Sequence, residues 1–318
     1  MSILVTGGAG FIGSNLVNRL VSENEVVHVL DNLSSGSMES LERVKRSPMF
    51  HFHKADLLQK ESIVIPDDCK TIYHLAANPE VRVGFTNPEV HFSQNIVATF
   101  NLLEAARRND VETLLFTSTS TVYGDARVIP TPEDYAPLEP ISTYGASKLA
   151  CESIMSSYAH TYGIRAIIYR LANIIGSDST HGVIFDLVTK LLKDPGRLEV
   201  LGDGRQNKSY LHISDCISAI IAGRKGSDGI VNVYNVGSQD QVEVRDIAGT
   251  VIGAMEMAGV KVEFTGGVDS GRGWKGDVKN MLLDVRRIMS LGWNPRYDSL
   301  EAVRLTSREL VQGVAYQK

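Results

Sequence analysis

Short apolar runs and apolar stripes at helical spacing alternate along the first half of the chain. Ile3-Leu4-Val5 has no polar interruption, as a strand buried on both faces requires, and it runs into glycines. The segment after them carries Leu16 and Leu20 on one helical stripe. Further strands are predicted over 26–30, 49–54, 71–75, 113–117 and 165–171. The run 89–108 predicts a long helix with Phe92, Ile96, Phe100 and Leu103 as its apolar stripe, interrupted by Asn95 and Asn101. A second long helix is predicted over 142–162, which has no glycine or proline between Gly145 and Gly163. Strands that alternate with helices predict an α/β fold with a doubly wound parallel sheet. Beyond residue 172 the alternation weakens, and a smaller C-terminal lobe interleaved with the sheet is expected. The domains are therefore read as 1–172 and 173–318, some segments of the second returning to the sheet. Residues 125–141 hold four prolines and several acids, and predict a loop or lid.

Candidate chemistry sits at the ends of these strands. Gly7, Gly10 and Gly13 lie between the first strand and its helix. Glycine permits a tight turn and lets backbone approach a pyrophosphate, the helix N-terminus that follows offers N–H groups and a positive dipole end, and Phe11 and Ile12 of the loop are counted with the cofactor site. Asp31 ends the second strand, where an acid accepts hydrogen bonds from both ribose hydroxyls of an adenosine and repels a 2′-phosphate. This predicts a Rossmann-type dinucleotide site with NAD preferred over NADP. Asp56 follows the third strand and either reaches the adenine edge or caps a helix. Small Ala76 and Ala77 after the fourth let backbone pass close to a cofactor, and hydroxyls crowd the end of the fifth, from Thr117 to Thr121. Tyr144 and Lys148 are one helical turn apart on one face. A nearby cation stabilises a phenolate and lowers the tyrosine pKa toward the operating pH.

Composition narrows the partners. The net charge is −5, which argues against nucleic acid or an anionic membrane surface, and no apolar run approaches membrane-spanning length. Cys69, Cys151 and Cys216 are far apart, which fits a reducing compartment without a disulfide framework. The first strand begins almost at the start, leaving no room for a signal peptide, so a cytoplasmic protein is expected. His51 and His53 share a strand face, but no Cys or acid is spaced to complete a metal site, and none is expected.

The glycines, Asp31, His74-Leu75-Ala76-Ala77, the hydroxyl run and the Tyr144/Lys148 pair, all in register, resemble the extended short-chain dehydrogenase/reductase family. Within it the chain is most similar to the nucleotide-sugar epimerases of the UDP-glucose (UDP-galactose) 4-epimerase type. The resemblance implies an NAD-dependent epimerase that oxidises a nucleotide sugar at C4 and restores it on the opposite face. It implies Tyr144 as acid and base, Lys148 as its partner, and Thr119 as the active-site hydroxyl. It extends the cofactor set to Asn32, Ser35 and Gly36 in the ribose turn, and to Leu57, Leu75, Asn95 and Thr117. The related dehydratases carry Asp-Glu directly after the active-site Thr, and the related decarboxylases a Glu at the second place. Ser120 and Thr121 stand there, which leaves simple epimerisation.

For the substrate, a UDP-hexose, the resemblance implies Ser120, Thr121, Asn173, Val183, Tyr210 and Asp277. It implies Lys208 or Arg205, and Arg272 or Lys275, as grips on the diphosphate. Lys208 stands where most members have Arg, which would supply a bidentate fork. Met281 falls where epimerases gate the space around C2 of the sugar, so an N-acetyl sugar or a uronate stays open, as does the base. A homodimer through helices 89–108 and 142–162 is implied, although those apolar stripes equally fit a core.

Overall fold

The structure is a computed structural model that describes residues 1–315. Six strands follow the predicted runs: β1 Ser2–Thr6, β2 Val26–Asp31, β3 Phe50–Lys54, β4 Cys69–His74, β5 Thr113–Thr119 and β6 Arg165–Leu171. With Val231–Val236 they form one seven-stranded sheet, in the order β3, β2, β1, β4, β5, β6, Val231–Val236. The pairs β1–β2, β1–β4, β2–β3 and β4–β5 are parallel. This is the doubly wound order of a Rossmann fold. Its strand order reverses between β1 and β4, and ligands bind beyond the strand ends at such a switch point. Every residue of β1 is buried, which explains its uninterrupted apolar run. Leu4, Ile72, Leu102, Leu114, Phe116 and Met155 belong to one apolar cluster of this unit.

The chain divides into two compact units. One comprises Met1–Val122, Ser142–Arg170 and Ile220–Tyr234; the other comprises Tyr123–Ile141, Leu171–Ala219 and Asn235–Lys318. The division differs from the expected 1–172 and 173–318 at the proline-rich segment. That stretch is held in the second unit as an isolated parallel bridge of Thr131 with Leu283, where Thr131 N donates to Leu282 O and Asp284 N to Thr131 O, each at 2.9 Å. The second unit has its own core, in which Leu187, Leu191, Ile247, Val251, Ala302 and Val303 from three helices meet. In it the short strand Asn207–Lys208 pairs with Val242–Glu243 and with Asn280–Met281.

The stretch 89–108 departs from its prediction. It forms Glu89–His91, a π-helical stretch Phe92–Val97, and then Ala98–Arg108. A π turn shifts the phase of the residues beyond it. Asn95 consequently points inward, 1% exposed, while Phe92 and Phe100 of the expected stripe are 58% and 41% exposed. Of the expected stripe Leu103 is buried and Ile96 packs against the core, and the inward face is completed by Ala98, Thr99, Asn101, Leu102 and Ala106.

Candidate active site

The glycine loop leaves space that no side chain can fill. A Cβ on Gly13 would stand 2.1 Å from the Gly7 carbonyl oxygen, and one on Gly7 would stand 2.6 Å from Ala76 N. Gly7 also has φ +68°, in the left-handed region. Gly10 starts the helix Phe11–Ser22 with no side-chain cap, which leaves the first-turn N–H groups, including those of half-buried Phe11 and Ile12, to a ligand. Asp31 closes the loop from the other side, its carboxylate accepting from Ala9 N at 2.9 Å and Leu33 N at 2.8 Å. The turn then presses on the loop, since a Cβ on Gly36 would meet the Ala9 carbonyl at 2.7 Å. Asn32 and Ser35 are exposed on it. Asn32 donates to Asp56 at 3.1 Å, and Asp56 also accepts from Leu58 N at 2.9 Å, so it caps a turn while facing the ribose loop. Leu57 is buried with its carbonyl held by Asn101, and Leu75 N donates to Thr6 O. A bare backbone cradle with a carboxylate on its rim and no basic residue in the turn suits the pyrophosphate and unphosphorylated ribose of NAD.

Ser142 caps the helix Thr143–Tyr162 through its hydroxyl, which accepts from Gly145 N at 3.1 Å, and Gly163 ends it at φ +75°. Lys148 is 3% exposed; its Nζ donates to Thr117 O at 2.8 Å and lies 4.5 Å from the centroid of the Phe116 ring. Burial pushes the ammonium down to about 8. The Tyr144 phenol, by contrast, is pushed up to about 12 by burial, with the Cys151 thiol adding to it. The expected lowering of the phenol by Lys148 is therefore not produced by the protein alone. Desolvation sets the direction of the phenol, and the hydrogen bond found for the Lys148 ammonium goes to the Thr117 backbone carbonyl. Thr119, the last residue of β5, accepts from Thr121 N at 3.2 Å, and the two hydroxyls are also 3.2 Å apart. Ser120 begins the 3₁₀ turn that follows. Asn95, turned inward by the π stretch, donates to Ser147 Oγ and accepts from Asn78 N, both at 2.8 Å, and so ties the Tyr144 helix to the Ala76-Ala77-Asn78 loop.

A second group of predicted residues gathers in the other unit. Lys208 Nζ pairs with Asp277 at 2.5 Å and lies 5.6 Å from the Trp274 ring centroid. Arg272 donates to the Asp277 backbone carbonyl and forms an ion pair with Asp125 at 2.8 Å. Asp277 also accepts from Gly273 N. Met281 pairs in register with Lys208 and is buried. Tyr210 is buried two residues further on, its N–H donating to Ser299 Oγ. Arg205 and Lys275 are exposed, so Lys208 and Arg272 form the cluster and the two alternatives do not. Asn173 is turned to the Ser209 carbonyl at 3.0 Å, and Val183 is half-buried at the start of its own helix.

The NAD dependent epimerase/dehydratase family model matches residues 3–237. The chain belongs to that family. It is 32% identical over 310 residues to a putative UDP-glucose 4-epimerase of Methanocaldococcus jannaschii, covering 95% of this chain and 96% of the relative. The crystal structure of a UDP-galactose 4-epimerase superposes with TM-score 0.87 at 42% identity, covering 99% of this chain and 100% of that one. UDP-glucuronic acid 4-epimerase from Bacillus cereus, solved with UDP-glucuronic acid and NAD, gives 0.88 at 26% identity, covering 99% and 100%. NAD is thus the cofactor of this epimerase/dehydratase fold.

Several histidines have roles in the structure that the sequence reading does not assign. His74 bridges Thr6 Oγ1 and Thr99 Oγ1, both at 2.8 Å, and stacks on Phe116. His91 hydrogen-bonds Thr143 at 2.9 Å and meets the Tyr144 ring edge-on, with centroids 5.7 Å apart. The expected His51/His53 pair gains His28, stacked on both, with His28 Nδ1 2.9 Å from His53 Nε2. Among the described residues no group of three His, Cys, Asp or Glu is placed to hold a metal.

His74 is expected to make the fold acid-sensitive. Burial pushes it down to about 3, whereas the unfolded chain titrates near 6.5. Below pH 6.5 the unfolded state binds the extra proton, so stability falls as the pH falls. Urea unfolding is expected to show a loss of about 2 kcal/mol from pH 6.5 to 5 from this residue. The same loss in His74→Asn would show that another group carries it.

Proposed function

We propose that this protein interconverts UDP-glucose and UDP-galactose by transient oxidation at C4 of the hexose. The observation that carries the reading is the Thr119–Thr121 turn. Its hydroxyls bond each other, and neither Ser120 nor Thr121 supplies the acid or base that dehydration needs. NAD, when bound, supplies the hydride acceptor and, in its oxidised state, a second positive charge. Tyr144 as phenolate takes the proton of the C4 hydroxyl and later returns it to the opposite epimer. Thr119 hydrogen-bonds the reacting oxygen, and Lys148 stabilises the phenolate charge. Lys208 and Arg272, released from Asp277 and Asp125, grip the diphosphate. The test is a panel of UDP-glucose, UDP-galactose, their N-acetyl forms and UDP-glucuronate, followed by product NMR without added reductant. The first two are expected to reach one common mixture from either side without accumulating NADH. Turnover confined to the N-acetyl sugars or the uronate would move the reading to those substrates. Stoichiometric NADH release would make the protein a net oxidoreductase.

The exposed Phe92 and Phe100, with Tyr162 at 51% exposure, support a homodimer through the helices that carry them. Phe92→Glu with Phe100→Glu is expected to yield monomers in sedimentation; dimers in that variant would place the interface elsewhere. The three free, buried cysteines support a cytoplasmic location, which cell fractionation tests.

A further inference from the structure

Glu152 and Arg170 form an ion pair at 2.8 Å in which both side chains are 6% exposed. Arg170 also donates from Nε to both carboxylate oxygens, at 3.1 and 3.2 Å. Such a pair is costly to desolvate, and well-packed apolar residues often serve stability as well or better. Its place in the fold gives it a use. Glu152 lies one turn beyond Lys148 on the same helix face. Its carboxylate also accepts a short hydrogen bond from the buried Ser118 hydroxyl. Ser118 stands between the two residues that matter most at the end of β5: Thr117, whose carbonyl holds the Lys148 ammonium, and Thr119.

We propose that the Glu152–Arg170 pair, acting through Ser118, positions Lys148 and Thr119 for the C4 chemistry. Arg170 on β6 fixes the carboxylate, the carboxylate fixes Ser118, and Ser118 sets the strand end on both of its sides. The same carboxylate opposes the burial that draws Lys148 toward neutrality, as the Cys151 thiol also does. Its catalytic part rests on the function proposed above.

Two substitutions in the full-length protein separate charge from clamp. Glu152→Gln removes the charge. The Lys148 ammonium, followed by NMR of lysine-labelled protein, is expected to titrate about one unit lower, and the alkaline limb of the pH–rate profile is expected to move with it. Ser118→Ala keeps the charge and removes the link to the strand. It is expected to leave the Lys148 midpoint in place and lower kcat roughly tenfold at unchanged KM. A pair that only braces the fold would lower the melting temperature and move neither the midpoint nor kcat. Either an unmoved Lys148 midpoint in folded Glu152→Gln or a wild-type kcat in Ser118→Ala overturns the proposal. If Glu152→Gln does not fold, Ser118→Ala decides alone. The Lys148 titration needs no substrate. Inactivity of the wild-type protein on every nucleotide sugar would therefore refute the proposed function while leaving this measurement valid.

Discussion

Tyr144→Phe is expected to lower kcat by about 10³-fold or more while the protein still binds NAD. The substitution removes one hydroxyl, which has no hydrogen-bond partner among the described residues, so little of the fold depends on it. The glycine cradle and Asp31, which are proposed to hold the dinucleotide, are untouched. What disappears is the only group assigned to carry the C4 proton in both directions. Burial pushes the phenol up to about 12 in the protein alone. In the proposed mechanism catalysis at neutral pH therefore depends on added positive charge, and the variant has nothing for that charge to act on. Turnover, cofactor retention by fluorescence and the melting temperature should be measured on one preparation. Near-normal turnover would sink the assignment of Tyr144, whatever the other two readings.

Gly13→Ala is expected to weaken NAD binding by about 100-fold and to cost the fold about 1–3 kcal/mol. The added Cβ would stand 2.1 Å from the Gly7 carbonyl oxygen and 2.7 Å from Gly8 Cα, both backbone atoms of the loop itself. No rotamer change relieves such a contact, so the loop must move, and the turn that Asp31 braces through Ala9 moves with it. Gly249→Ala is the matched control. Gly249 lies inside the helix Val244–Ala254, and its Cβ would meet nothing within 4 Å. That substitution is expected to be neutral, or to stabilise by up to about 1 kcal/mol, with NAD affinity unchanged. Equal losses in the two variants would mean that glycine entropy, and not the cradle, governs binding. Isothermal titration with NAD and urea unfolding read both effects.

The parts of this protein that were legible in its sequence are local. The run Ile3-Leu4-Val5, the spacing of Gly7, Gly10 and Gly13, the acid at Asp31, and Tyr144 one turn before Lys148 all depend on residues near in sequence. Periodicity and turn chemistry act at that range. They predict a dinucleotide fold and the place of its reactive pair. The π turn at Phe92–Val97 was not legible. Its sequence is an ordinary helical one, and Asn95 reads as a weak helix residue until Ser147 and Asn78 are seen on either side of it. Nor were the partners of Lys208 and Arg272, which are proposed to grip the diphosphate, because Arg272 finds Asp125 across 147 residues of chain. Late cations in a net-acidic chain indicate that something anionic binds, but not which acids hold those cations meanwhile. The sequence alone thus determined which groups this protein has for its chemistry and in what order along the chain. The tertiary structure decided their protonation and their partners: Tyr144 pushed up, Lys148 pushed down, His74 kept neutral between two threonines. Those are consequences of desolvation, and desolvation depends on what packs around a side chain from every direction, not on its neighbours in sequence.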